Sequence, residues 1–245
     1  MIPVFKSHFS IGKSILTYED PEKSSDPLGP QSILSIVKEN KVKNVFILED
    51  SMTGFPDAFR GFSKINKKFT FGLRVDYGSG KEKSKIAFFA KNDNGIKKLN
   101  ELHSRQFSDN DVDKKFIEEW YSEDVALVIP FYDSFLFNNF LQYGKFIFDL
   151  EDFSPTFFLE SNGLPFDELL KKKVLSFCDQ FGFDTQEAKS IYYKNEEDAE
   201  ALQALKIITN RSFGKSRSLS RPQLQHFGSR SFCWESFEKE LEKVN

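Results

Sequence analysis

Short apolar runs that end at turn residues predict the strands of this chain. Val45-Phe46-Ile47-Leu48 is four apolar residues in a row, which is typical of a parallel strand buried on both faces. It runs into Glu49-Asp50-Ser51, and Thr53-Gly54 then favours a turn. Further strands are predicted at residues 3–9, 70–75, 85–90, 125–129 and 157–159.

Helical periodicity fills the segments between these strands. Pro30 stands near the first turn of one helix, where its missing N–H costs nothing. A short helix follows Pro56, and Asn92 or Asp93 is expected to cap another. The helix near Pro30 has an apolar face of Ile33, Leu34, Ile36 and Val37, and the helix after Asn92 has one of Ile96, Leu99 and Leu102. Two further helices are predicted at residues 166–181 and 196–208. This alternation predicts βα units around a largely parallel sheet.

The residues after Leu48 are the first candidates for chemistry. In α/β barrels, the side chains that follow the carboxyl ends of the strands form the active site. A carboxylate in that place is a metal ligand, a general acid or base, or the remnant of one. Asp50 is therefore the first residue whose role must be decided.

Composition indicates an ordinary globular protein. The chain has 245 residues, 39% of them hydrophobic, which is enough for one large α/β domain or two small ones. Its net charge of -3 means that any contact with nucleic acid must come from a local patch. Base stacking is one use for the 29 phenylalanines, but their place in strand-like runs favours core packing.

Cysteine usage and hydropathy bear on location. Cys178 and Cys233 have neither the spacing of a zinc site nor that of a disulfide framework, which favours a reducing compartment. The N-terminus lacks a basic region followed by an apolar run, and no segment approaches the roughly 18 apolar residues of a membrane span. We therefore expect a cytoplasmic protein with no membrane role.

Three stretches of the chain combine a strand-like run, a turn and a helix-like pattern: FFAKNDNGIKKLNEL at residues 88–102, FFLESNGLPFDELLKKKVL at 157–175 and YYKNEEDAEALQALKIITN at 192–210. Together they resemble the PHP (polymerase and histidinol phosphatase) domain of bacterial DNA polymerase III alpha subunits. Their order and spacing agree with that family over nearly the whole chain. The resemblance implies an α/β fold, a distorted seven-stranded βα barrel, at residues 1–208. A basic linker and C-terminal extension would follow at residues 209–245.

Active members of this family bind a metal cluster through histidines and carboxylates at the ends of the strands. The family's opening His-x-His falls on Ser7 and Phe9, and the Thr-Asp-His of the next strand falls on Glu49-Asp50-Ser51. The glutamate of the third strand falls on Arg74. The late Asp-x-His falls on Ser190 and Tyr192. Only Asp50 keeps the ligand type. The resemblance therefore implies a pseudo-active site with no metal, no cofactor and no phosphoesterase activity.

The three histidines of the chain do not supply a replacement cluster. His8 lies between two ligand positions, where a strand would point its side chain to the other face. His103 falls in a helix or loop, and His226 falls in the basic linker.

Two interpretations of Arg74 and Asp50 stay open. Arg74 either neutralises Asp50 through a two-pronged hydrogen bond, or points to solvent while Asp50 caps a local turn. Phe9 would fill space that an imidazole occupies in active relatives. Arg74, Ser7, Ser51 and Tyr192 would also be able to bind a phosphate or carboxylate without hydrolysing it.

The segment from Thr209 to Ser231 is locally basic, with Arg211, Lys215, Arg217, Arg221 and Arg230 and no acidic residue. It is either a solvated connector or a salt-dependent DNA contact. Within it, QLQHF, from Gln223 to Phe227, faintly resembles the peptide that docks on a bacterial sliding clamp.

The resemblance implies a catalytically degenerate PHP domain that scaffolds or docks the polymerase core, or another replisome protein, in DNA replication. Whether it is a separate subunit or part of a longer polymerase stays open. One alternative is a residual metal-dependent 3′–5′ exonuclease or phosphoesterase with a different ligand set. Another is an accessory module that binds single-stranded DNA through the basic segment.

Overall fold

Seven strands close into a barrel in the computed structural model, which describes residues 1–19, 31–79, 82–108, 111–209 and 229–244. The strands are β1 (Ile2–Phe5), β2 (Phe46–Glu49), β3 (Thr70–Ser79), β4 (Glu82–Ala90), β5 (Val125–Ile129), β6 (Thr156–Leu159) and β7 (Asp184–Ile191). Each pairs with the next in chain order, and β7 pairs with β1. The expected seven-stranded α/β barrel is confirmed in this form.

One strand departs from the parallel arrangement. β4 runs antiparallel to both β3 and β5, whereas the other neighbouring strands are parallel. The carboxyl ends of the six other strands therefore point toward one end of the barrel, which we call the mouth. The sequence predicted a largely parallel sheet, and apolar runs alone do not distinguish strand directions.

Helices surround the barrel between its strands. They are α1 (Ile33–Glu39), α2 (Phe55–Lys64), α3 (Asp93–Phe107), α4 (Lys114–Trp120), α5 (Phe135–Leu141), α6 (Asp167–Phe181), α7 (Ala199–Thr209) and α8 (Trp234–Val244). Of the two caps predicted for α3, Asn92 is the one observed, because its side chain accepts a hydrogen bond from Gly95 N. Within the described ranges, no helix has the length and apolar character needed to span a membrane.

Several element boundaries differ from the sequence prediction. The strand predicted at residues 3–9 ends at Phe5, because the chain turns where Ser10 N donates to Ser7 O. The helix predicted from Glu196 begins as a short 3-10 helix before α7. Among the described residues, one strand and three α-helices were not predicted: β7, α4, α5 and α8. The first half of β7 is polar and largely exposed, so it carries little hydrophobic signal.

Two apolar layers form the core, as period-two alternation requires. The barrel interior is filled by Val4, Leu48, Ala87, Phe89, Val128, Phe158 and Ala188. The larger outer layer packs the opposite strand faces against the helices. At Gly72 of β3, an added Cβ would lie 2.6 Å from the ring of Phe89, so glycine leaves room for that ring.

The C-terminal segment packs on the barrel beside β1 and β7. Phe232, Trp234 and Phe237 are buried in the outer layer. The Trp234 ring stacks on Phe5 with 5.8 Å between centroids. Glu240 of α8 also pairs with Lys189, whose side chain is fully buried in β7. Thus α8 closes one side of the core.

Candidate functional site

A polar layer lies directly above the apolar interior, at the mouth of the barrel. Its members follow interior residues by two positions, so alternation turns them toward the barrel axis. They are Lys6 after Val4, Asp50 after Leu48, Arg74 after Gly72, Glu160 after Phe158 and Ser190 after Ala188. We call these five residues the mouth layer.

Asp50 and Arg74 form a two-pronged ion pair in this layer. Arg74 Nε donates to Asp50 Oδ1 at 2.8 Å, and Nη2 donates to Oδ2 at 3.2 Å. The predicted pairing is confirmed, and the alternative with Arg74 in solvent is wrong, because Arg74 is only 7% exposed. The fork geometry of guanidinium matches a carboxylate, which makes this one of the stronger ion-pair arrangements.

Two further charges extend the pair into a network. Lys6 Nζ donates to Asp50 Oδ1 at 3.0 Å, and Arg74 Nη1 donates to Asp133 Oδ2 at 3.2 Å. Arg74 therefore bridges two carboxylates, and Asp50 is held by two cations. We call Lys6, Asp50, Arg74 and Asp133 the mouth network.

The pKa values of the network show which charges are favoured. Burial raises the pKa of Asp50, but the charges of Arg74 and Lys6 outweigh burial and hold that pKa well below its usual range. Burial, reinforced by the charge of Arg74, lowers the pKa of Lys6 to about 8. Burial also lowers the pKa of Arg74, but Asp50 and Asp133 more than compensate and raise it. The ionised Asp50–Arg74 pair is thus the stable state.

Glu49 is the centre of a separate buried cluster behind the mouth layer. It is fully buried, and its Oε1 accepts hydrogen bonds from Ser7 N at 2.9 Å and from the Tyr18 hydroxyl at 2.7 Å. Its Oε2 accepts one from Ser10 Oγ at 2.5 Å. Ser7 therefore serves here to hold Glu49 through its backbone. The sequence offered a signal for Glu49, since it ends a fully apolar run.

Glu160 and Ser190 form the other side of the mouth layer. Glu160 Oε2 accepts from Ser190 N at 2.8 Å and from Asn162 Nδ2 at 2.9 Å. Ser190 Oγ donates to Glu160 Oε1 at 3.0 Å. Burial raises the pKa of Glu160, although these hydrogen bonds oppose that shift. Tyr192 lies beside this group and stacks on Phe232 with 5.3 Å between centroids.

The structure brings together some of the residues selected from the sequence and separates others. Asp50, Arg74, Ser190 and Tyr192 meet at the mouth, with Ser7 behind them. Ser51 instead contacts Thr53 on the surface. Three members of the arrangement were not selected from the sequence: Lys6, Asp133 and Glu160.

Phe9 and the basic segment also lie apart from the mouth network. The Phe9 ring stacks near Tyr18 at 6.1 Å and lies against Gly54, in the outer layer. Arg230 is exposed and reaches Glu200 at 3.5 Å. The remaining predicted nucleic-acid and clamp contacts lie outside the described residues: Arg211, Lys215, Arg217, Arg221 and the stretch from Gln223 to Phe227.

The residues at the mouth do not fit a divalent metal cluster. Both oxygens of Asp50 already accept hydrogen bonds from cationic side chains, which stand where a metal would have to bind. Across the described ranges, no group of three His, Cys, Asp or Glu side chains is placed to hold a metal ion. His8 is exposed and contacts the carbonyl of Leu16, while His103 lies in α3.

The space left inside the mouth is small. The cavity bounded by Lys6, Arg74, Glu160, Ser190 and Tyr192 has a volume of about 20 Å³. One water molecule needs roughly 10–15 Å³ of such volume. The mouth therefore has room for about one water and not for a nucleotide or a phosphoester.

Comparison with known proteins gives no family. No protein-family model matches the chain, and no curated protein matches it. Among solved structures, the chain is similar to an amidohydrolase from Chromobacterium violaceum that contains sulfate and no metal. The identity is 10%, the TM-score is 0.43, and the match covers 78% of this chain and 87% of the other. Similarity at this level supports neither a shared family nor a shared activity, and the barrel is established by its own strand pairing.

The mouth network predicts a specific dependence of stability on pH. A carboxyl whose pKa is lowered by folding stabilises the protein above its unfolded pKa and loses that contribution as the pH falls. Asp50→Asn should therefore lower the free energy of unfolding by about 2 kcal/mol near neutral pH. We expect no larger loss because the Asp50 side chain is 28% exposed, and solvent weakens its ion pairs. The difference between the two proteins should shrink below about pH 4. Urea unfolding at a series of pH values measures this.

The matched control is Asp57→Asn, since Asp57 pairs with Arg60 on the surface of α2. We expect that change to stay within about 0.5 kcal/mol at every pH. The raised pKa of Glu160 makes stability fall as the pH rises, but Glu160 is present in both proteins and cancels in the comparison. A difference for Asp50→Asn that is constant with pH would show that Asp50 is not the ionised partner of Arg74.

Proposed function

We propose that this chain is a non-catalytic barrel of the PHP type that scaffolds a replicative DNA polymerase core of the polymerase III alpha class. One observation carries the proposal. At the mouth, where active barrels of this kind would bind metal, Arg74 bridges Asp50 and Asp133. The charged side chains of this site bind one another, so they stabilise the barrel and are not free to act in catalysis.

The placement of the three PHP-like stretches supports this proposal. The stretch at 88–102 covers the end of β4 and most of α3, and the stretch at 157–175 covers most of β6 and the start of α6. The stretch at 192–210 follows β7 and includes α7. The first two stretches therefore span the end of a strand and part of the helix that follows, and the third begins directly after a strand and contains the next α-helix.

The chemistry of the mouth supports a structural role over hydrolysis. The carboxylates accept hydrogen bonds from neighbouring side chains and backbone, and the cavity is too small for a substrate. A hydrolase needs an open metal position or a free general base within reach of its substrate. The polar groups of the mouth are instead used to stabilise the barrel.

The proposal is tested by mixing the purified chain with the polymerase core from the same source. We expect the two to elute together in size-exclusion chromatography with light scattering. We also expect the melting temperature of the core to rise, because a partner that binds only the folded state stabilises it. A core that neither binds the chain nor gains stability from it would overturn the proposal.

A second experiment separates this role from residual hydrolysis. The chain is incubated with Mn²⁺, Zn²⁺ or Mg²⁺ and a 3′-labelled single-stranded oligonucleotide, beside the Asp50→Asn variant. We expect both proteins to release label only at the background rate. Metal-dependent release that Asp50→Asn abolishes would replace the proposal with the exonuclease alternative.

A further inference from the structure

A second and much larger cavity lies at the opposite end of the barrel from the mouth network. It is a cleft of about 590 Å³ between α2 and α3, floored by the start of β3 and the end of β4. Its volume is within the range of about 300–1,000 Å³ that small-molecule and cofactor sites occupy. We call it the α2–α3 cleft.

One wall of this cleft is aromatic. Phe59 of α2 is 57% exposed, although it is a large apolar side chain. Its ring is 6.0 Å from that of Phe55, which in turn lies 6.3 Å from Phe69 and 5.2 Å from Phe71. Phe55 thus backs Phe59 from the core side, and the open side of the Phe59 ring is available to a flat partner.

Lysines line the cleft beside these rings. Lys68 and Lys91 are exposed, and Lys67 is half buried and reaches the carbonyl of Val42 at 3.5 Å. Neither Lys68 nor Lys91 has an ion-pair partner among the residues that the structure describes. Asp93 is the single carboxylate among the described residues of the lining. The cleft is thus locally positive in a chain whose net charge is -3.

We propose that the α2–α3 cleft binds single-stranded nucleic acid, with a base stacked on Phe59 and backbone phosphates beside Lys68 and Lys91. Sites for single strands combine exposed aromatic faces for the bases with cations along the backbone. An acidic peptide would use the lysines but would leave the exposed phenyl ring without a stacking partner. This site is separate from the mouth network, its lining includes no residue of the basic segment after Thr209, and it goes beyond the proposed function.

The probe is a fluorescein-labelled oligothymidylate of about 12 nucleotides, whose binding to the full chain is followed by fluorescence anisotropy. We expect Phe59→Ala to weaken binding about tenfold, because one stacking contact is lost. Lys68→Gln and Lys91→Gln should each weaken binding. Each should also reduce the slope of log affinity against log salt by about 0.7, because one phosphate contact is lost.

Matched controls are chosen away from the cleft. Phe107 is also an exposed phenylalanine, at the far end of α3, and Lys172 is an exposed lysine on α6. Phe107→Ala and Lys172→Gln should leave the affinity for the oligonucleotide unchanged. All variants carry surface substitutions, and an unchanged melting temperature confirms that they fold.

Three results would overturn the proposal. The first is no binding of the oligonucleotide at low salt. The second is binding that Phe59→Ala and the two lysine variants leave unchanged, which would place the contact elsewhere, for example on the basic segment. The third is binding of polyglutamate, but not of oligothymidylate, that depends on Phe59 and Lys68, which would identify an acidic peptide as the occupant.

Discussion

Replacing Arg74 with methionine is expected to lower the free energy of unfolding by about 3 kcal/mol. Methionine keeps much of the arginine stem, so the loss reports mainly on the missing charge. Among the described cations, Lys6 would remain hydrogen-bonded to Asp50, and Asp133 would lose its hydrogen bond from Arg74. Breaking a buried pair is costly because it leaves the other partner desolvated and incompletely paired. Urea unfolding followed by circular dichroism measures the change.

Two comparisons make this result specific to the pair. Arg60→Met removes a surface arginine that is 71% exposed and pairs with Asp57, so we expect a change within about 0.5 kcal/mol. Combining Arg74→Met with Asp50→Asn should cost less than the sum of the single changes, because the two side chains share one interaction. Strict additivity would mean that the observed contact contributes no energy.

Replacing Trp234 with alanine is expected to cost about 3–5 kcal/mol. Its side chain is 4% exposed and lies between Phe5 of β1 and Phe237 of α8, with centroid distances of 5.8 Å and 5.0 Å. Alanine would leave a cavity where α8 meets the barrel, and the surrounding rings would fill it only partly. The free energy of unfolding of the variant, measured in urea, tests this.

Trp234→Phe is the matched control for packing. Among the described residues, the buried Nε1 of Trp234 has no hydrogen-bond partner. Phenylalanine keeps an aromatic ring and removes that unsatisfied donor, so we expect a cost below about 1 kcal/mol. If alanine and phenylalanine cost the same, the C-terminal segment does not stabilise the barrel through this ring. A large difference would show that packing of this ring against the barrel contributes to stability.

The Asp50–Arg74 pair was accessible from the sequence because both residues continue regular strand patterns. Leu48 and Gly72 are register partners on β2 and β3. Two residues further on, alternation returns both chains to the barrel axis, which sets Asp50 beside Arg74. The family resemblance had selected both positions, and side-chain alternation along the paired strands β2 and β3 places them side by side.

Lys6 and Asp133 were less accessible for a different reason. Lys6 lies beside the position that the family resemblance selected, and β1 ends one residue before it. Its inward direction follows only once the strand end and the pairing with β7 are known. Asp133 has a φ of 63° in the loop after β5, and no periodic pattern predicts the direction of such a residue. Tertiary pairing decides both.

The α2–α3 cleft shows the same limit. Phe59 and Lys68 are near in sequence, but Lys91 directly follows β4, which runs antiparallel to β3. The periodic pattern identified the helices and strands, yet it did not indicate strand direction. The antiparallel direction of β4 brings the end of that strand, and so the start of α3, beside the start of β3. The cleft therefore depends on a strand direction that the sequence pattern did not indicate.

By itself, the sequence determined the α/β character of the chain, most of its strands and helices, and the charges on Asp50 and Arg74. These features follow from local periodicity and side-chain chemistry, which are present before any long-range contact forms. Only the tertiary structure decided that β7 closes the barrel onto β1, that α8 completes the core and that Lys6 and Asp133 join the mouth network. Those contacts link residues far apart in the chain, and only the closed barrel brings them within bonding distance.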